Sequence, residues 1–321
     1  MDIATDFRSQ VREAIEATHF IDDGYLSWFG ATTHIDCPSD EVGRLFRHEL
    51  ETILYRDFYT RGRATPTPPE RRLTPADLAR RDMIARYIGV VDAAHRVVSG
   101  LPVVQSTDTH VRIDLNGLHV EVPSERIASR PSATEVSLTM RRVSTRLSPG
   151  FVAVFGDLTL SAGERGLRTY LNTTPDGAVE CMRLLPTALN DADVAFAFKA
   201  LDDSSRFSRA DACVLYTAWQ DRALVTEIVL GLAAKLGDRL KPAVPALTLP
   251  LAPGIGIAEG SGDDSFGRTR STMLANALVG AWESGLIHLD EREVFVTDVC
   301  RSQGVDLEHP YLRQAVVGVE A

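Results

Sequence analysis

The chain has 321 residues, 44% of them hydrophobic, and a formal net charge of −10. That balance speaks against general nucleic-acid binding, which needs a basic face to displace counterions, though it leaves room for a local arginine cluster. No apolar run is long enough to cross a bilayer. The first ten residues mix charges, unlike a secretory signal, and the expectation is a cytoplasmic protein without membrane attachment. Cys37, Cys181, Cys213 and Cys300 are too scattered for a zinc site or redox pair, and read as reduced, buried thiols.

Residues 5–20 and 40–59 carry apolar residues at helical spacing, with Leu45, Leu50, Ile53 and Leu54 in one stripe. A Pro-rich stretch over 63–75 predicts an extended loop. Thr74-Pro75-Ala76-Asp77 then restarts a helix to about Ser99, with Pro in its first turn. The first hundred residues are therefore expected to be mainly helical. The pattern then changes to strands. "HVRIDLNGLHVEV" is two alternating runs about Asn116-Gly117, a hairpin signal. "VSLTMRRVSTRLSPGFVAVFGDL" gives two more strands about a Ser-Pro-Gly turn. "GLRTYLNTT" reads as a strand, "PDGAVECMRLLPTALN" as a helix and "DVAFAFKAL" as a strand. Helices are expected near 207–219 and 222–240, then an apolar stretch "PALTLPLAPGIGIAEG" and a long helix over about 270–284. Strands and helices do not alternate strictly, so the expected class is α+β, a helical N-terminal third (1–100) followed by a mainly antiparallel or mixed sheet packed with helices (101–321).

Of 34 basic residues only three are lysine: Lys199, Lys235 and Lys241. Lys235 and Lys241 lie around a helix end, where a cation suits the exposed carbonyls. Lys199 lies inside a strand. Period-2 alternation puts Val194, Phe196, Phe198 and Ala200 on one face, and Ala195, Ala197 and Lys199 on the other. A desolvated lysine near arginines is expected to have a lowered pKa and to make a general base, a role closed to arginine. The competing assignment is a strand-end lysine that snorkels to water or pairs with Asp202.

Four other groups carry chemistry. Arg168, Tyr170 and Asn172 share one strand face. Arg206 and Arg209 follow the loop "DDSS"; Asp211 is placed to hold Arg209 by a bidentate pair, and Tyr216 lies further on. "SFGRTR" sets Arg268 and Arg270 at a helix N-terminus, where free N–H groups and guanidiniums suit an anion. The first two also read as ordinary structure, an exposed sheet face and a salt-bridged helix start. His119 stands in a hairpin strand. The histidines show no metal-ligand spacing, no Gly-x-Ser-x-Gly elbow occurs, and "FAFK" lacks the downstream motifs of a protein kinase. No metal is expected.

The series "RTYLNTTPDGA", "FAFKALDDSSRFSRADACVLY", "GIGIAEG" and "SFGRTRSTMLANAL" resembles the HopA-type effector family over roughly residues 100–285, with weaker agreement at "ILYRDFYTRG". Members of that family include bacterial type III effectors. Related proteins accompany phosphotransferase-like kinases in the biosynthesis of thioamitides and class V lanthipeptides. The biosynthetic branch implies a cofactor-free phosphoserine/phosphothreonine lyase that makes dehydroalanine or dehydrobutyrine in a ribosomal precursor peptide. The phosphorylated precursor and a Ser/Thr kinase would be its partners. On that resemblance Lys199 would be the base, and Arg206, Arg209, Arg268 and Arg270 would bind phosphate. Arg168 and Asn172 would position phosphate or peptide carbonyl, with Tyr170, Tyr216 and His119 competing as proton donor. The effector branch implies instead a non-catalytic module that binds a protein or leader peptide.

Overall fold

The computed structural model describes residues 6–21, 24–34, 41–60, 76–91, 95–115, 118–161, 165–260 and 265–313. Helix α1 (Phe7–Ala17) starts at Asp6, whose carboxylate accepts from the Ser9 amide at 3.1 Å. It leads into a small antiparallel sheet of β1 (Thr18–Ile21), β2 (Tyr25–Trp28) and β3 (Ala31–His34). This sheet is a departure from the expected helical N-terminal third. Its strands are four residues each, too short for a period to show. Helix α2 (Val42–Ile53) continues into a π-helical turn over Leu54–Tyr59. Helix α3 (Ala76–Val90) follows; the Pro-rich stretch before it and Cys37 fall outside the described residues.

A five-stranded sheet comes next, in the order β6-β5-β4-β8-β7, from β4 (His95–Ser106), β5 (His110–Leu115), β6 (Leu118–Pro123), β7 (Ile127–Ser129) and β8 (Glu135–Arg141). The expected hairpin pairs β5 with β6, Leu115 opposite Leu118; its turn, Asn116-Gly117, lies outside the described residues. Val98, Leu101, Val111, Ile113, Val136 and Leu138 give this sheet its own core. Arg96 and Arg142 tie it to the rest of the chain by donating to the carbonyls of Gly156 (2.7 Å) and Phe155 (3.1 Å).

The central element is a seven-stranded antiparallel sheet. Its strands are β9 (Val143–Ser144), β10 (Phe151–Phe155), β11 (Gly166–Leu171), β12 (Phe196–Leu201), β13 (Cys213–Ala218), β14 (Leu249–Ala252) and β15 (Ile255–Gly260), in the order β14-β15-β11-β13-β12-β10-β9. Between them run α4 (Pro175–Asp191), begun by Thr174 capping Gly177 with Pro175 at the first position, and α5 (Arg222–Leu236). Helices α6 (Phe266–Glu283) and α7 (Leu289–Ser302) close the described chain. These elements make the fold α+β, as expected.

Residues 213–218 form a strand, not part of the expected helix over 207–219. All but Tyr216 of "CVLYTA" are buried. A short apolar run covered on both faces carries no period that separates strand from helix.

One sheet face, with Val152, Val154, Leu167, Leu171, Phe196, Phe198, Ala200 and Leu215, packs against α3, α4 and α5. On the other, Tyr170, Val214 and Ala258 join a core built by α1, α2, the π turn, α6 and α7. That core crosses residue 101, so the N-terminal elements and the C-terminal helices share one hydrophobic interior.

Candidate functional site

Strand register assembles the site. Across the second face, Ala153, Lys199, Val214, Tyr170 and Gly256 form one row, and Phe155, Ala197, Tyr216, Arg168 and Ala258 the next. Lys199, Tyr216 and Arg168 therefore stand on three adjacent strands; Lys199 and Tyr216 are half-buried, and Arg168 is buried. The β12 alternation is the expected one, with Phe196, Phe198 and Ala200 buried and Ala197 and Lys199 only partly so.

The Lys199 ammonium lies 4.6 Å from the centre of the Phe151 ring and 5.3 Å from that of Tyr216. It donates to Ser148 Oγ at 3.3 Å. The expected Ser-Pro-Gly turn delivers both Ser148 and Phe151 to it. Asp202, the alternative partner, is instead buried against Arg80 at 2.7 Å, with Arg206 at 3.9 Å. Among the described residues no carboxylate pairs with Lys199.

Two arginines share ring neighbours with this lysine. The Arg168 guanidinium sits 5.6 Å from the Tyr216 ring centre, so Lys199 and Arg168 share one aromatic neighbour. Arg209 is held by Asp211 in the expected fork, Nε to Oδ1 and Nη2 to Oδ2, both 2.7 Å. Its guanidinium lies 6.0 Å from the same Phe151 ring that Lys199 touches. Burial alone would lower the Arg209 pKa, but the Asp211 carboxylate outweighs it and holds the group above its ordinary value. Arg206 approaches the Gly150 carbonyl at 3.4 Å, on the turn beside Phe151. Glycine suits that turn because its φ at Gly150 is +82°, a conformation other residues rarely adopt.

Tyr55 and Tyr59, on the π turn, join the site without having been singled out in the sequence. Arg209 Nη2 donates to the Tyr55 hydroxyl at 3.1 Å. The Tyr55 and Tyr59 rings stack at 5.6 Å, and Tyr59 meets Tyr170 edge-on at 6.2 Å. The Ala210 amide donates to the Thr60 carbonyl, which fixes the Arg209 loop to the end of the π turn. The available signal was the Tyr-x-x-x-Tyr spacing in "ILYRDFYTRG", which sets both rings on one helical face.

The remaining expected site residues go elsewhere. Tyr170 is only 3% exposed, its ring edge-on to Tyr59; burial pushes both phenols above their ordinary values. Asn172 is buried and donates to the Ala243 carbonyl at 2.8 Å, pinning the loop before β14. Arg268 is 76% exposed, next to Glu51, and the Ser265 hydroxyl caps its amide. Arg270 donates to the carbonyls of Pro310 (2.9 Å) and Leu312 (3.0 Å), and burial lowers its pKa to about 10. The "SFGRTR" turn thus secures the C-terminal segment and the tyrosine stack, and its two guanidiniums do not converge. His119 is exposed on edge strand β6 of the five-stranded sheet, outside the Lys199 face.

Two positions support the site from behind. Gly267 lies against Tyr59, where a Cβ would be 2.1 Å from the ring. Gly267→Ala is expected to displace the Tyr59–Tyr55 stack and destabilise the fold by about 1–3 kcal/mol, read as a lower midpoint of denaturant unfolding. Lys241, expected to do no more than suit a helix end, donates from its Nζ to the Phe207 carbonyl, two residues before Arg209. Burial lowers its pKa. Lys241→Met is expected to cost about 1–3 kcal/mol by orphaning that carbonyl, and to raise protease cutting in the 203–212 loop.

A separate groove of about 910 Å³ lies on the opposite side of the central sheet, between the end of α3, α4 and α5. Among the described residues no cluster of His, Cys, Asp or Glu could hold a metal ion. No helix there is long and apolar enough to cross a membrane.

Comparison with solved structures finds an effector protein from Pseudomonas syringae pv. tomato strain DC3000, with a TM-score of 0.53 and 15% identity, covering 97% of this chain and 96% of that one. A second effector protein, from Pseudomonas syringae pv. syringae strain 61, aligns with a TM-score of 0.48 and 13% identity, over 85% of this chain and 96% of the other. No curated protein matches. The first likeness concerns the fold alone. The family description "HopA1 effector protein family" matches residues 142–312, more than half of the chain and the part that holds Lys199, Arg168, Arg209 and Tyr216. The chain belongs to the HopA1 effector protein family.

Proposed function

We propose that this chain is a phosphopeptide lyase of the biosynthetic kind. It would eliminate phosphate from phosphoserine or phosphothreonine of a ribosomal precursor peptide and leave dehydroalanine or dehydrobutyrine. The observation that carries this reading is a partly exposed lysine with no carboxylate partner among the described residues, sharing one aromatic pair with two guanidiniums.

β-Elimination needs three things, and each has a candidate here. Lys199 takes the Cα proton; the electron pair forms the Cα=Cβ bond and the Cβ–O bond breaks toward phosphate. Arg168 and Arg209 bind the phosphate, with Arg206 at the rim. Negative charge grows on the neighbouring peptide carbonyl as the proton leaves. Tyr216, half-buried beside the lysine, would donate to it. The Asp211 fork fixes the Arg209 plane before substrate arrives, and preorganised charge is what favours the transition state. The peptide would be supplied by a Ser/Thr kinase acting first.

The test is phosphate release from short phosphoserine and phosphothreonine peptides, with the full chain and its Lys199→Ala variant. Release by the native chain and none by the variant is expected. Binding without release, insensitive to Lys199, would assign the chain to the non-catalytic, peptide-binding class instead.

A further inference from the structure

An elimination from a phosphoserine dianion expels an orthophosphate trianion unless a proton reaches the bridging oxygen as the Cβ–O bond breaks. The base cannot supply that proton, because Lys199 is gaining one at the same moment. The donor must be a second acidic group on the phosphate side of the site.

Three groups singled out in the sequence are poorly placed. Tyr170 is sealed against Tyr59 and Phe266. His119 belongs to another sheet. Tyr216 lies against Lys199 itself, on the side where the Cα proton departs.

The geometry points to Tyr55 as the residue that protonates the departing phosphate, an inference that rests on the lyase reading. Arg209 uses Nε and Nη2 on Asp211, and Nη2 also donates to the Tyr55 oxygen at 3.1 Å. Nη1 is the corner of the guanidinium left over for phosphate. A phenol oxygen that accepts from a guanidinium turns its own O–H away from that donor. An anion bridging Arg209 and Tyr55 would therefore meet an N–H from one and the O–H from the other. Tyr55 is half-buried, and its ring is fixed by stacking on Tyr59, so the hydroxyl is both held and reachable. The step balances. Cα–H passes its proton to Lys199, the C–H electrons become the alkene, the C–O electrons leave with oxygen, and the Tyr55 proton makes hydrogen phosphate. The phenolate regains a proton from water. Tyr55 lies outside the segment 142–312 that matches the family, so the N-terminal region would complete the active site rather than only cover it.

The experiment compares native protein, Tyr55→Phe and Tyr216→Phe with a short phosphoserine peptide, measuring kcat and KM across pH. Tyr55→Phe keeps the ring stack. Its expected effect is a fall in kcat of about 10²-fold, with KM little changed, and loss of the alkaline limb that a general acid imposes. Tyr216→Phe is expected to keep that limb. Native kcat in Tyr55→Phe, or an alkaline limb that survives there and vanishes in Tyr216→Phe, overturns the assignment while leaving the lyase reading intact. No phosphate release by the native protein overturns both.

Discussion

Lys199→Ala is expected to lower phosphate elimination by about 10²–10⁴-fold, the range for removing a positioned general base. The variant should fold, because its losses are small. They are one hydrogen bond to Ser148 and two ring contacts, each worth about 0.5–2 kcal/mol. Phosphopeptide binding should persist, since Arg168 and Arg209 remain. Lys199→Arg sharpens the result by restoring positive charge without a group that can be deprotonated. Binding retained and turnover lost in both variants would separate base from counter-ion. Recovery of turnover in the arginine variant would mean that Lys199 acts through its charge alone.

The second large effect belongs to Arg209. Arg209→Ala leaves the Asp211 carboxylate buried and unpaired, and is expected to destabilise the fold by about 3–5 kcal/mol. It also removes the anion ligand, so loss of activity in this variant could be mere unfolding. The double variant Arg209→Ala/Asp211→Ala removes both charges and should recover much of the stability. Its phosphopeptide elimination should stay about 10²–10³-fold down, the scale for a missing charge-stabilising donor. Denaturant unfolding and phosphate release on the same preparations check this. If the double variant regains activity together with stability, the fork is a structural ion pair.

Much of this was legible in the sequence, for identifiable reasons. Lys199 stood out because alternation in "VAFAFKAL" is strict and lysine is scarce, and the strand places it where period 2 required. The Arg209–Asp211 fork was legible because it is local, two residues apart. The convergence of β11 with β12 could not be read from either strand alone. It is made by β13, a strand whose uniformly apolar run carries no distinguishing period, and which brings Tyr216 between Lys199 and Arg168. Arg270 and Asn172 misled because a polar side chain in a motif looks the same whether it meets a ligand or a backbone carbonyl. Tyr55 was missed because it comes from 154 positions earlier in the chain than Arg209, and only the shared core brings the two together.

These placements also explain why the site has a fixed shape. Lys199, Arg168 and Tyr216 rise from paired strands, which tolerate little movement. Arg209 comes from a loop, but that loop is tied down by Lys241 at Phe207, by Thr60 at Ala210 and by Asp211. Precision on the base side derives from the sheet, and on the phosphate side from these ties.

The most direct measurement is the mass of the peptide product after incubation of the full chain with a phosphoserine peptide. The predicted product is lighter than the unphosphorylated peptide by one water and adds a thiol nucleophile, as an alkene should. A product with the mass of the unphosphorylated peptide would show hydrolysis, and recovery of only the intact phosphopeptide would show no chemistry; either would contradict Lys199 as the base of an elimination.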